Sequence, residues 1–542
     1  MNDRTSPAVT REMRDLDLQG PAQAHLDSAP IRVMLEMRPS LDGFAGIPQE
    51  VRLLFRGLCK IDAVQVEGMI QHSQRSLARG TRKPGLFQRW QSDARRINRY
   101  SQVIISMAEK PYRNVIEVIL DYSEKKISTA RLLLRTMLGI GTVRLTRFES
   151  ANFRDFTWRT MFAKTLPASD FDLVSGVNHS INSTSWHAMH MVGLQSLNFG
   201  SSPKYPTLHT PGIDIFIGQT PYPGRVERHT RMVIRYHDAI PVMMPHTISD
   251  KSLHQATHFY ALMDNVRKGA WFACVSEASR QDLIKLFPEA APRAVTIHNM
   301  VAHHYFREES NFDRVRGIIR SRLYEGDLAK GIDLLPDFLS LREKEAFYKR
   351  TLGQPNFKYL LVVSTIEPRK NHTRVLAAWE VIKADIDPDI KLVVVGTLGW
   401  DNKSIASAFR PWIDRGDLFM LNAVPAPDLR VLYRHALATV CPSLGEGFDF
   451  SGVESMASGG ITLASDIPVH REVYEDAAEY FDPYATMSLV KALQKVLYNA
   501  NADEERERLR QCGAAIAARY QPDRILPQWE SFLRRVQGEK KK

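Results

Sequence analysis

The chain has 542 residues, 44% of them hydrophobic and 25% charged, which is typical of a water-soluble globular protein with two or three domains. It contains no apolar run close to the roughly 18 residues that a membrane-spanning helix needs, which argues against an integral membrane protein. The four cysteines form no CxxC pair, and the first twenty residues lack the apolar segment of a secretion signal, so we expect reduced thiols and a cytoplasmic location.

The net charge of +11 comes from one part of the chain. Between Arg75 and Arg147 there are 16 lysines and arginines against 5 acidic residues, so the remaining residues are balanced. A basic surface of this kind attracts anionic lipid, nucleic acid or an acidic ligand. Nucleic-acid binding would rest on charge alone, because no recognisable binding module accompanies it, and we expect no nucleic-acid partner.

The first half of the chain predicts a Rossmann-like domain over 30–303, after a flexible tail over 1–29. A buried strand at 31–37 leads through a glycine-containing turn into an amphipathic helix at 47–60, which is how a Rossmann-type unit begins. Apolar residues at helical spacing predict a basic helical insertion over 75–165, with helices at 97–108, 112–122 and 127–138. Further strands are predicted at 171–177, 212–218, 232–238, 271–276 and 295–301, with Ser276 as the N-cap of the helix after the fourth.

The second half predicts another α/β domain over 351–520, after a charged helical linker at 304–350. Helices are expected near 371–384 and 427–436, between strands at 359–364, 390–396, 418–424, 438–443 and 461–465. Buried strands alternating with helices indicate a parallel sheet covered on both faces. We therefore predict an α/β protein in which two Rossmann-like domains face each other across a cleft. The C-terminal region, 521–542, is expected to supply a helix near 522–537 that crosses back to the first domain, followed by a basic tail.

The segment GEGFDFSGVESMASGG, at 445–460, carries the strongest chemical signal. Glu446 lies in the predicted loop, where it can accept hydrogen bonds from sugar hydroxyls, and Glu454 lies on the following helix, where it can bind ribose hydroxyls. Between them are backbone amides near a helix N-terminus, a place that binds diphosphate, namely those of Phe450, Ser451, Gly452 and Val453. A glycine-rich turn with two solvated glutamates is the alternative interpretation.

The segment STIEPRKNH, at 364–372, follows the first strand of the same domain. Doubly wound sheets bind ligands at the carboxyl ends of their strands. Arg369 and Lys370 can therefore face a diphosphate there and neutralise the charge that develops as a glycosidic bond breaks. A basic surface loop is the alternative interpretation.

Together these segments resemble the donor domain of family 4 glycosyltransferases, which are retaining enzymes with the GT-B fold. The resemblance is dense over about 355–485, where STIEPRKN, CPSLGEGFDFSGVESMASGG and ASDIPVHREVYEDAAEYF follow in the family's order. It is weaker at YHDAIP, VSEASRQDL and VTIHNMV. It does not extend over about 75–165 or 305–350, which we interpret as insertions.

The resemblance implies that the domain over 30–303 binds the acceptor and the domain over 351–520 binds the donor. It also implies a role for each matching residue. Arg369 and Lys370 correspond to the pair that binds the donor diphosphate. Glu446 corresponds to the glutamate at the transferred sugar, and Glu454 to the one at the ribose. His237 corresponds to the family's histidine near the reacting sugar carbon, although a histidine at a strand end also serves often as a structural hydrogen-bonding group.

The sequence departs from the family pattern in two places. Gly43 and Gly46 match the glycine loop that approaches the donor phosphates, but the usual glycine pair is missing. In the donor loop, Asp449 replaces a glycine and Ser451 replaces a proline. Because a carboxylate next to a diphosphate would be repulsive, we expect Asp449 to turn away.

These residues predict a hexosyltransferase that needs neither a metal ion nor a cofactor beyond its sugar-nucleotide co-substrate. No DxD-type dyad stands where a metal would be needed, and an Arg–Lys pair can take the place of a divalent ion. The motifs are similar to those of enzymes that build bacterial surface polysaccharides such as lipopolysaccharide, so GDP-mannose is the first expected donor and a glycan or lipid-linked saccharide the expected acceptor. A sugar-nucleotide epimerase, a phosphorylase and an inert scaffold that docks through its basic segment are the alternatives.

The basic segment predicts contact with an anionic membrane surface on the cytoplasmic side. Its cations alternate with apolar and aromatic residues in RLLLRTMLGIG, at 131–141, and in FQRW, at 87–90. Interfacial helices need both kinds of side chain. The cations chosen to test this contact are Arg131, Arg135, Arg144 and Arg147. A helical insertion whose apolar faces pack internally is the alternative.

Overall fold

The computed structural model describes residues 29–44, 46–81, 93–108, 114–355 and 357–539. The predicted tail before residue 29, the FQRW segment and the last three lysines lie outside the described residues. None of the described helices is both long and apolar enough to cross a lipid bilayer.

The first domain is built on a large, mainly parallel sheet. In chain order its strands are β1 (Ile31–Glu36), β2 (Val64–Ile70), β3 (Thr142–Arg144), β4 (Thr146–Phe148), β5 (His179–Ile181), β6 (Thr207–His209), β7 (Ile215–Gly218), β8 (Arg225–Val226), β9 (Arg231–Tyr236), β10 (Trp271–Cys274) and β11 (Ala294–Thr296). Eight of them pair in the order β11-β10-β9-β7-β1-β2-β5-β4, and β3, β6 and β8 form a small separate sheet. The pairings in the large sheet are parallel, except that β4 runs antiparallel to β5.

Helices cover both faces of this sheet. They are α1 (Ile47–Leu58), α2 (Asp93–Met107), α3 (Val115–Met137), α4 (Arg154–Thr157), α5 (Phe171–Ser175), α6 (Trp186–Ser196), α7 (Ile240–Met243), α8 (Lys251–Arg267) and α9 (Glu277–Leu286). The predicted cap of α9 is confirmed, because the Ser276 side chain accepts a hydrogen bond from the Ser279 amide.

Three predictions within this domain are wrong. The insertion at 75–165 is not entirely helical, because β3 and β4 lie within it and β4 pairs with β5 of the large sheet. The segment 171–177 is helix α5 rather than a strand, because a short buried apolar run does not distinguish a strand from a helical turn. The two helices expected at 112–122 and 127–138 are one continuous helix, α3, because the residues between them contain neither glycine nor proline to end it.

The linker is not entirely helical. It contains α10 (Asp313–Ser321), a short hairpin of β12 (Gly326–Asp327) and β13 (Ile332–Asp333), and α11 (Leu341–Leu352). The charged composition of 304–350 predicted only helix. It gave no indication of the hairpin, because the strands of the hairpin are only two residues long.

The second domain is a six-stranded parallel sheet. Its strands are β14 (Lys358–Val363), β15 (Ile390–Val395), β16 (Leu418–Leu421), β17 (Ala438–Cys441), β18 (Thr462–Ser465) and β19 (Ala478–Phe481), in the order β16-β15-β14-β17-β18-β19. Its helices are α12 (His372–Asp385), α13 (Lys403–Arg415), α14 (Ala426–His435), α15 (Phe450–Ala457), α16 (Pro468–Tyr474), α17 (Thr486–Leu497) and α18 (Ala502–Arg519). The central strands are buried along almost their whole length, as in sheets covered on both faces.

The last helix, α19 (Pro522–Gly538), packs on the first domain. The Trp529 ring lies 5.1 Å from the guanidinium carbon of Arg235, which in turn forms a buried ion pair with Glu50 of α1 at 2.8 Å. The Phe532 ring packs edge-on against Trp271 of β10. The predicted fold is therefore confirmed: two Rossmann-like domains meet across a cleft, and the carboxyl ends of both sheets open towards it.

Candidate functional site

The loop after β14 carries the two predicted diphosphate-binding cations. A short 3-10 helix, Pro368–Lys370, ends at Asn371, whose backbone is left-handed (φ 54°). The Asn371 side chain donates hydrogen bonds to the carbonyls of Pro442 and Pro483, at 3.2 and 2.9 Å. This amide ties the cationic loop to the loop that follows β17, so the two predicted motifs adjoin.

Arg369 and Lys370 both bind Glu446. Arg369 donates to Oε2 of Glu446 at 2.9 Å and to the carbonyl of Gly445 at 2.7 Å, and the Lys370 ammonium binds Oε1 of Glu446. Arg369 also pairs with Glu367 at 2.9 Å. The side chains of Arg369 and Lys370 are each 15% exposed and that of Glu446 is 8% exposed, so the cluster is largely removed from water.

The charges in this cluster hold Glu446 ionised. Burial acts to raise the pKa of Glu446, but the positive charges of Arg369 and Lys370 outweigh it and leave the pKa below its ordinary value. Burial likewise acts to lower the pKa of Arg369, and the charges of Glu446 and Glu367 reverse that effect. The cluster therefore presents two cations and one carboxylate at the carboxyl ends of the central strands of the second sheet.

His237 lies against the same loop from the first domain. A Cβ added at Gly447 would lie 2.2 Å from the carbonyl oxygen of His237, so only glycine permits this approach. The Ser279 hydroxyl donates to the same carbonyl at 2.7 Å. Burial, and then the charge of Arg235, lowers the pKa of His237 to about 3, against the opposing effect of a hydrogen bond that the imidazole donates to the backbone of Gln219. The imidazole is therefore neutral, and its Nε2 is buried without a partner among the described residues.

Glu454 is buried and bridged across the domain boundary. Its carboxylate accepts hydrogen bonds from the side-chain amide of Gln49, on α1, at 2.7 Å and from the hydroxyl of Tyr433 at 3.2 Å. Burial raises the pKa of Glu454 to about 7, although the hydrogen bonds from Gln49, Tyr433 and Tyr305 act to lower it. A ribose that binds Glu454 therefore has to share or displace these partners.

Asp449 does not turn away from the helix N-terminus, contrary to the sequence prediction. It is the N-cap of α15, and its Oδ1 accepts from the amide and hydroxyl of Ser451 at 3.1 and 2.6 Å. Its Oδ2 lies 3.1 Å from Nε2 of the buried His470. Burial acts to raise the pKa of Asp449, but the hydrogen bond and charge of His470 hold it well below its usual range. The Asp449 carboxylate thus occupies the N-terminal, positive end of α15, where the helix dipole favours its ionised form.

The other predicted amides at this helix start lie close to buried side chains. Phe450 and Val453 are buried, and Tyr474 packs against Gly452 with its ring where a Cβ would stand. The Tyr474 hydroxyl donates to the Asp449 carbonyl at 3.1 Å. Access to these amides therefore requires rearrangement of Asp449 or Tyr474.

The glycine loop after β1 is held by a buried arginine. Gly43 and Gly46 both have positive φ, 37° and 71°, and Gly46 immediately precedes α1. The guanidinium of Arg52 donates to the carbonyls of Ser40, Asp42 and Gly43 at 2.7 to 2.9 Å. The loop stands next to the start of α1, from which Gln49 reaches Glu454, so it lies on the side of the cleft where the resemblance places the donor.

Three residues of this site escaped the sequence interpretation. Asp238 lies close enough to Arg369 and Glu446 to interact with their charges, and Glu367 pairs directly with Arg369. Asp238 lies within the motif YHDAIP and Glu367 within STIEPRKNH, so both could have been predicted as site residues from these motifs. Gln49 carries no comparable signal, because its contact with Glu454 joins residues that are distant in the chain.

The four arginines predicted at a membrane surface lie on the first domain, away from this cluster. Arg131 and Arg135 are exposed on α3, and Arg144 is exposed on β3. Arg147, on β4, is 39% exposed and lies 3.6 Å from Glu149. The first half of α3 exposes a set of large apolar side chains: Val115, Ile116, Val118, Ile119, Leu120 and Tyr122.

A cavity elsewhere in the first domain does not coincide with this cluster. A cavity of about 210 Å³ lies at the opposite edge of the first sheet, next to the start of β9, and Arg225, Arg231 and Lys268 are among its lining residues. Within the described ranges, no three His, Cys, Asp or Glu side chains are grouped closely enough to hold a metal ion. The cluster at Arg369 and Glu446, not the cavity, therefore unites the predicted motifs.

Comparison with known proteins identifies the class of the second domain. Residues 343–515 match the family model described as glycosyl transferases group 1. This confirms the recognition of a glycosyltransferase domain from its motifs.

Curated relatives with similar sequences include bacterial mannosyltransferases. The chain is 32% identical to the serotype-specific mannosyltransferase WbdA of Escherichia coli over 169 residues, which are 30% of this chain and 20% of WbdA. It is 31% identical to the O-antigen chain mannosyltransferase B of Escherichia coli over 125 residues, 23% of this chain and 33% of that protein. The chain thus spans only a fifth to a third of the length of these curated relatives.

Solved structures resemble the chain over most of its length at low sequence identity. The sucrose-phosphate synthase of Thermosynechococcus elongatus has a TM-score of 0.49 and 13% identity, covering 93% of this chain and 99% of that one. HepE of Anabaena in complex with UDP-glucose has a TM-score of 0.49 and 12% identity, covering 93% and 100%.

The raised pKa of Glu454 predicts a measurable dependence of stability on pH. Because the folded pKa of about 7 exceeds that of an exposed carboxyl, the stabilising contribution is complete at acidic pH and is lost as the pH rises through 7. Glu454→Gln keeps the shape and removes the titration. Between pH 5 and pH 8, the wild type should lose on the order of 3 kcal/mol more stability than this variant. Thermal or urea unfolding at several pH values, without ligand, measures the difference, and parallel pH profiles would contradict the assignment.

Proposed function

We propose that this protein is a retaining, metal-independent glycosyltransferase of family 4. It moves a hexose, with mannose from GDP-mannose as the first expectation, from a sugar nucleotide to a glycan or lipid-linked saccharide during polysaccharide biosynthesis. The observation that carries the proposal is the ion-paired cluster of Arg369, Lys370 and Glu446, which faces His237 across the cleft. The names of the relatives, a serotype-specific and an O-antigen mannosyltransferase, support mannose and a polysaccharide product.

Donor binding uses the charges of this cluster. A diphosphate at Arg369 and Lys370 replaces part of their interaction with Glu446, and each charge-assisted hydrogen bond contributes roughly 1.5–3 kcal/mol. Glu446 then accepts hydrogen bonds from hydroxyls of the transferred sugar. Because Asp449 already takes the Ser451 amide, the two cations carry most of the interaction with the diphosphate.

Transfer with retention follows from attack on the same face that the leaving group occupies. The acceptor oxygen forms a bond to the anomeric carbon while the bond from that carbon to the phosphate oxygen breaks. The acceptor proton passes to the departing phosphate oxygen, so no covalent nucleophile is needed. Glu446 stabilises the positive charge that develops on the sugar, and the neutral imidazole of His237 orients it. Packing of Gly447 on His237 limits the access of water to this point.

The two glutamates should respond differently to substitution. Glu454→Ala removes the acceptor for the ribose and should weaken sugar-nucleotide binding roughly 10- to 100-fold. Glu446→Ala acts at the reacting sugar and should chiefly lower kcat, by roughly 100-fold. Calorimetry with a panel of GDP- and UDP-hexoses, followed by steady-state kinetics, measures both effects.

The control for these variants is Glu530→Ala, which removes a partly exposed glutamate of α19 that forms an ion pair with its helix neighbour Arg534. Its binding and kinetics should match the wild type. Wild-type behaviour of both site variants would remove the donor-site assignment. Isomerisation of a donor without an acceptor would identify an epimerase, a requirement for free phosphate would identify a phosphorylase, and binding without turnover would identify an inert scaffold.

Activity should survive an excess of EDTA, because Arg369 and Lys370 supply the positive charge at the leaving diphosphate. Replacing both with alanine should lower the rate by at least roughly 100-fold, the usual effect of losing preorganised charge stabilisation. Product formation is measured with EDTA, with added magnesium and with added manganese. Strict dependence on either ion would contradict the proposed mechanism.

We also propose that α3 brings the protein to an anionic membrane surface, where a lipid-linked acceptor is presented. Val115 and Ile116 are 73% and 66% exposed, and such side chains can enter the headgroup region. The first half of α3 also carries Glu117 and Asp121, so the attraction to acidic lipid comes from the cations further along the basic segment. Each cation close to the surface contributes about 1 kcal/mol.

Liposome flotation with and without acidic phospholipid tests this contact. The wild type should float with acidic liposomes at low salt, and a variant with Arg131, Arg135, Arg144 and Arg147 neutralised should float less. A second variant removes apolar side chains of α3, at Ile116, Ile119 and Leu120, by substitution with serine.

Serine at the exposed linker residues Leu339 and Leu341 is the matched control and should leave flotation unchanged. The proposal fails if the wild type remains in the soluble fraction with acidic liposomes. It also fails if the linker variant loses as much binding as the α3 variant.

A further inference from the structure

A second group of chemically active side chains lies in the first domain, outside the donor cluster. Trp186 and His190, both on α6, have ring centroids 3.9 Å apart. Tyr236, at the end of β9, and His258, on α8, have ring centroids 6.2 Å apart. Helix α6 packs on α8, and the charge of His258 contributes to the lowered pKa of His190, so the two pairs are close together. We call these four residues the aromatic–imidazole cluster.

The cluster holds an unusual number of buried polar atoms without partners. Among the described residues, no hydrogen-bond partner is present for five of its atoms: Nε1 of Trp186, Nδ1 and Nε2 of His190, the hydroxyl of Tyr236 and Nε2 of His258. His190 is 1% exposed and Tyr236 is fully buried. A buried polar group left unpaired is destabilising, and most such groups in folded proteins are paired. Five of them in one place indicate a group of side chains that can donate hydrogen bonds to a ligand and accept them from it.

The electrostatic character of the cluster selects an uncharged ligand. Burial lowers the pKa of His258 to about 3 and lowers that of His190 well below its ordinary value, so both imidazoles are neutral at physiological pH. The guanidinium of Arg38 lies 4.3 Å from the Trp186 ring centroid and is paired with Glu36 at 2.8 Å. Neutral imidazoles and a phenol both donate and accept hydrogen bonds, and aromatic faces pack against the C–H face of a sugar ring.

The position of the cluster connects it to the donor site. Tyr236 directly precedes His237, whose carbonyl contacts the donor loop at Gly447. On the other side, His254 of α8 interacts with the charge of Asp238, which itself interacts with Arg369. The cluster therefore lies on the first-domain side of the point at which the sugar is transferred.

We propose that Trp186, His190, Tyr236 and His258 form the subsite for an uncharged sugar residue of the acceptor. This proposal rests on the proposed glycosyltransferase function and names the chemistry by which that enzyme recognises its second substrate. An acceptor that carried a phosphate at this position would have to compete with Glu36 for the guanidinium of Arg38.

Saturation-transfer NMR on the full chain tests the subsite without turnover. The probes are methyl α-mannoside, methyl α-glucoside and glucose 6-phosphate, each measured alone at millimolar concentration. Tyr236→Phe removes one hydroxyl from the cluster and keeps the ring. Tyr348→Phe is the matched control, because Tyr348 is also buried and its hydroxyl also has no partner within the described part of the chain, but it lies on α11 in the linker.

The expected result is binding of at least one methyl glycoside by the wild type, with an affinity that Tyr236→Phe lowers roughly fivefold and Tyr348→Phe leaves unchanged. Failure of both glycosides to bind, an equal loss in both variants, or tighter binding of glucose 6-phosphate than of methyl α-glucoside would overturn the proposal. Calorimetric titration of sugar nucleotides into the same three proteins separates the two hypotheses. Tyr236→Phe should bind sugar nucleotides as tightly as the wild type does. Failure of the wild type to bind any sugar nucleotide would refute the donor assignment alone.

Discussion

The charge balance among Arg369, Lys370 and Glu446 is the constraint on which the candidate site depends. Removing ionised groups from water is costly unless they are paired and hydrogen-bonded, and removing one partner of a buried pair costs about 3–5 kcal/mol. The pairing requires the loops after β14 and β17 to adjoin, which the backbone bond from the Leu444 amide to the Arg369 carbonyl secures. It also requires cover from the first domain, which the carbonyl of His237 provides at Gly447.

The two domains are joined by polar contacts as well as by α19. Gln49 reaches Glu454, and the Glu472 carboxylate accepts hydrogen bonds from the amides of Glu277 and Ala278 at 2.6 and 2.8 Å. A carboxylate at the start of α9 interacts favourably with the helix dipole, so this contact stabilises the packing of the two domains. The contact from Gln49 engages Glu454, the residue that the resemblance assigns to the donor ribose.

Most of the fold could be predicted because periodicity is a local property of the chain. Buried apolar segments that alternate with amphipathic helices predict the central strands of both sheets, such as β1 and β14. The N-cap residue Ser276 predicts the start of helix α9. The predictions failed where local signals were ambiguous: at α5, where a short apolar run suits a strand or a helical turn, and at the hairpin of β12 and β13, which is too short to show a pattern. The single helix α3 was divided because polar residues at its centre resembled a break.

The sequence by itself determined the class of the second domain and the residues of its donor motifs, because each motif lies within a short stretch whose backbone geometry is local. Only the tertiary structure decided that Asp449 caps its own helix and meets His470, that Gln49 engages Glu454, and that Trp186, His190, Tyr236 and His258 converge. Each of these contacts joins segments that are separate in the chain. Their distances and burial depend on how helices pack on the two sheets, and so do the protonation states of Glu454 and His258. Side-chain identity alone does not specify that packing, because desolvation and partner geometry arise only once the domains are assembled.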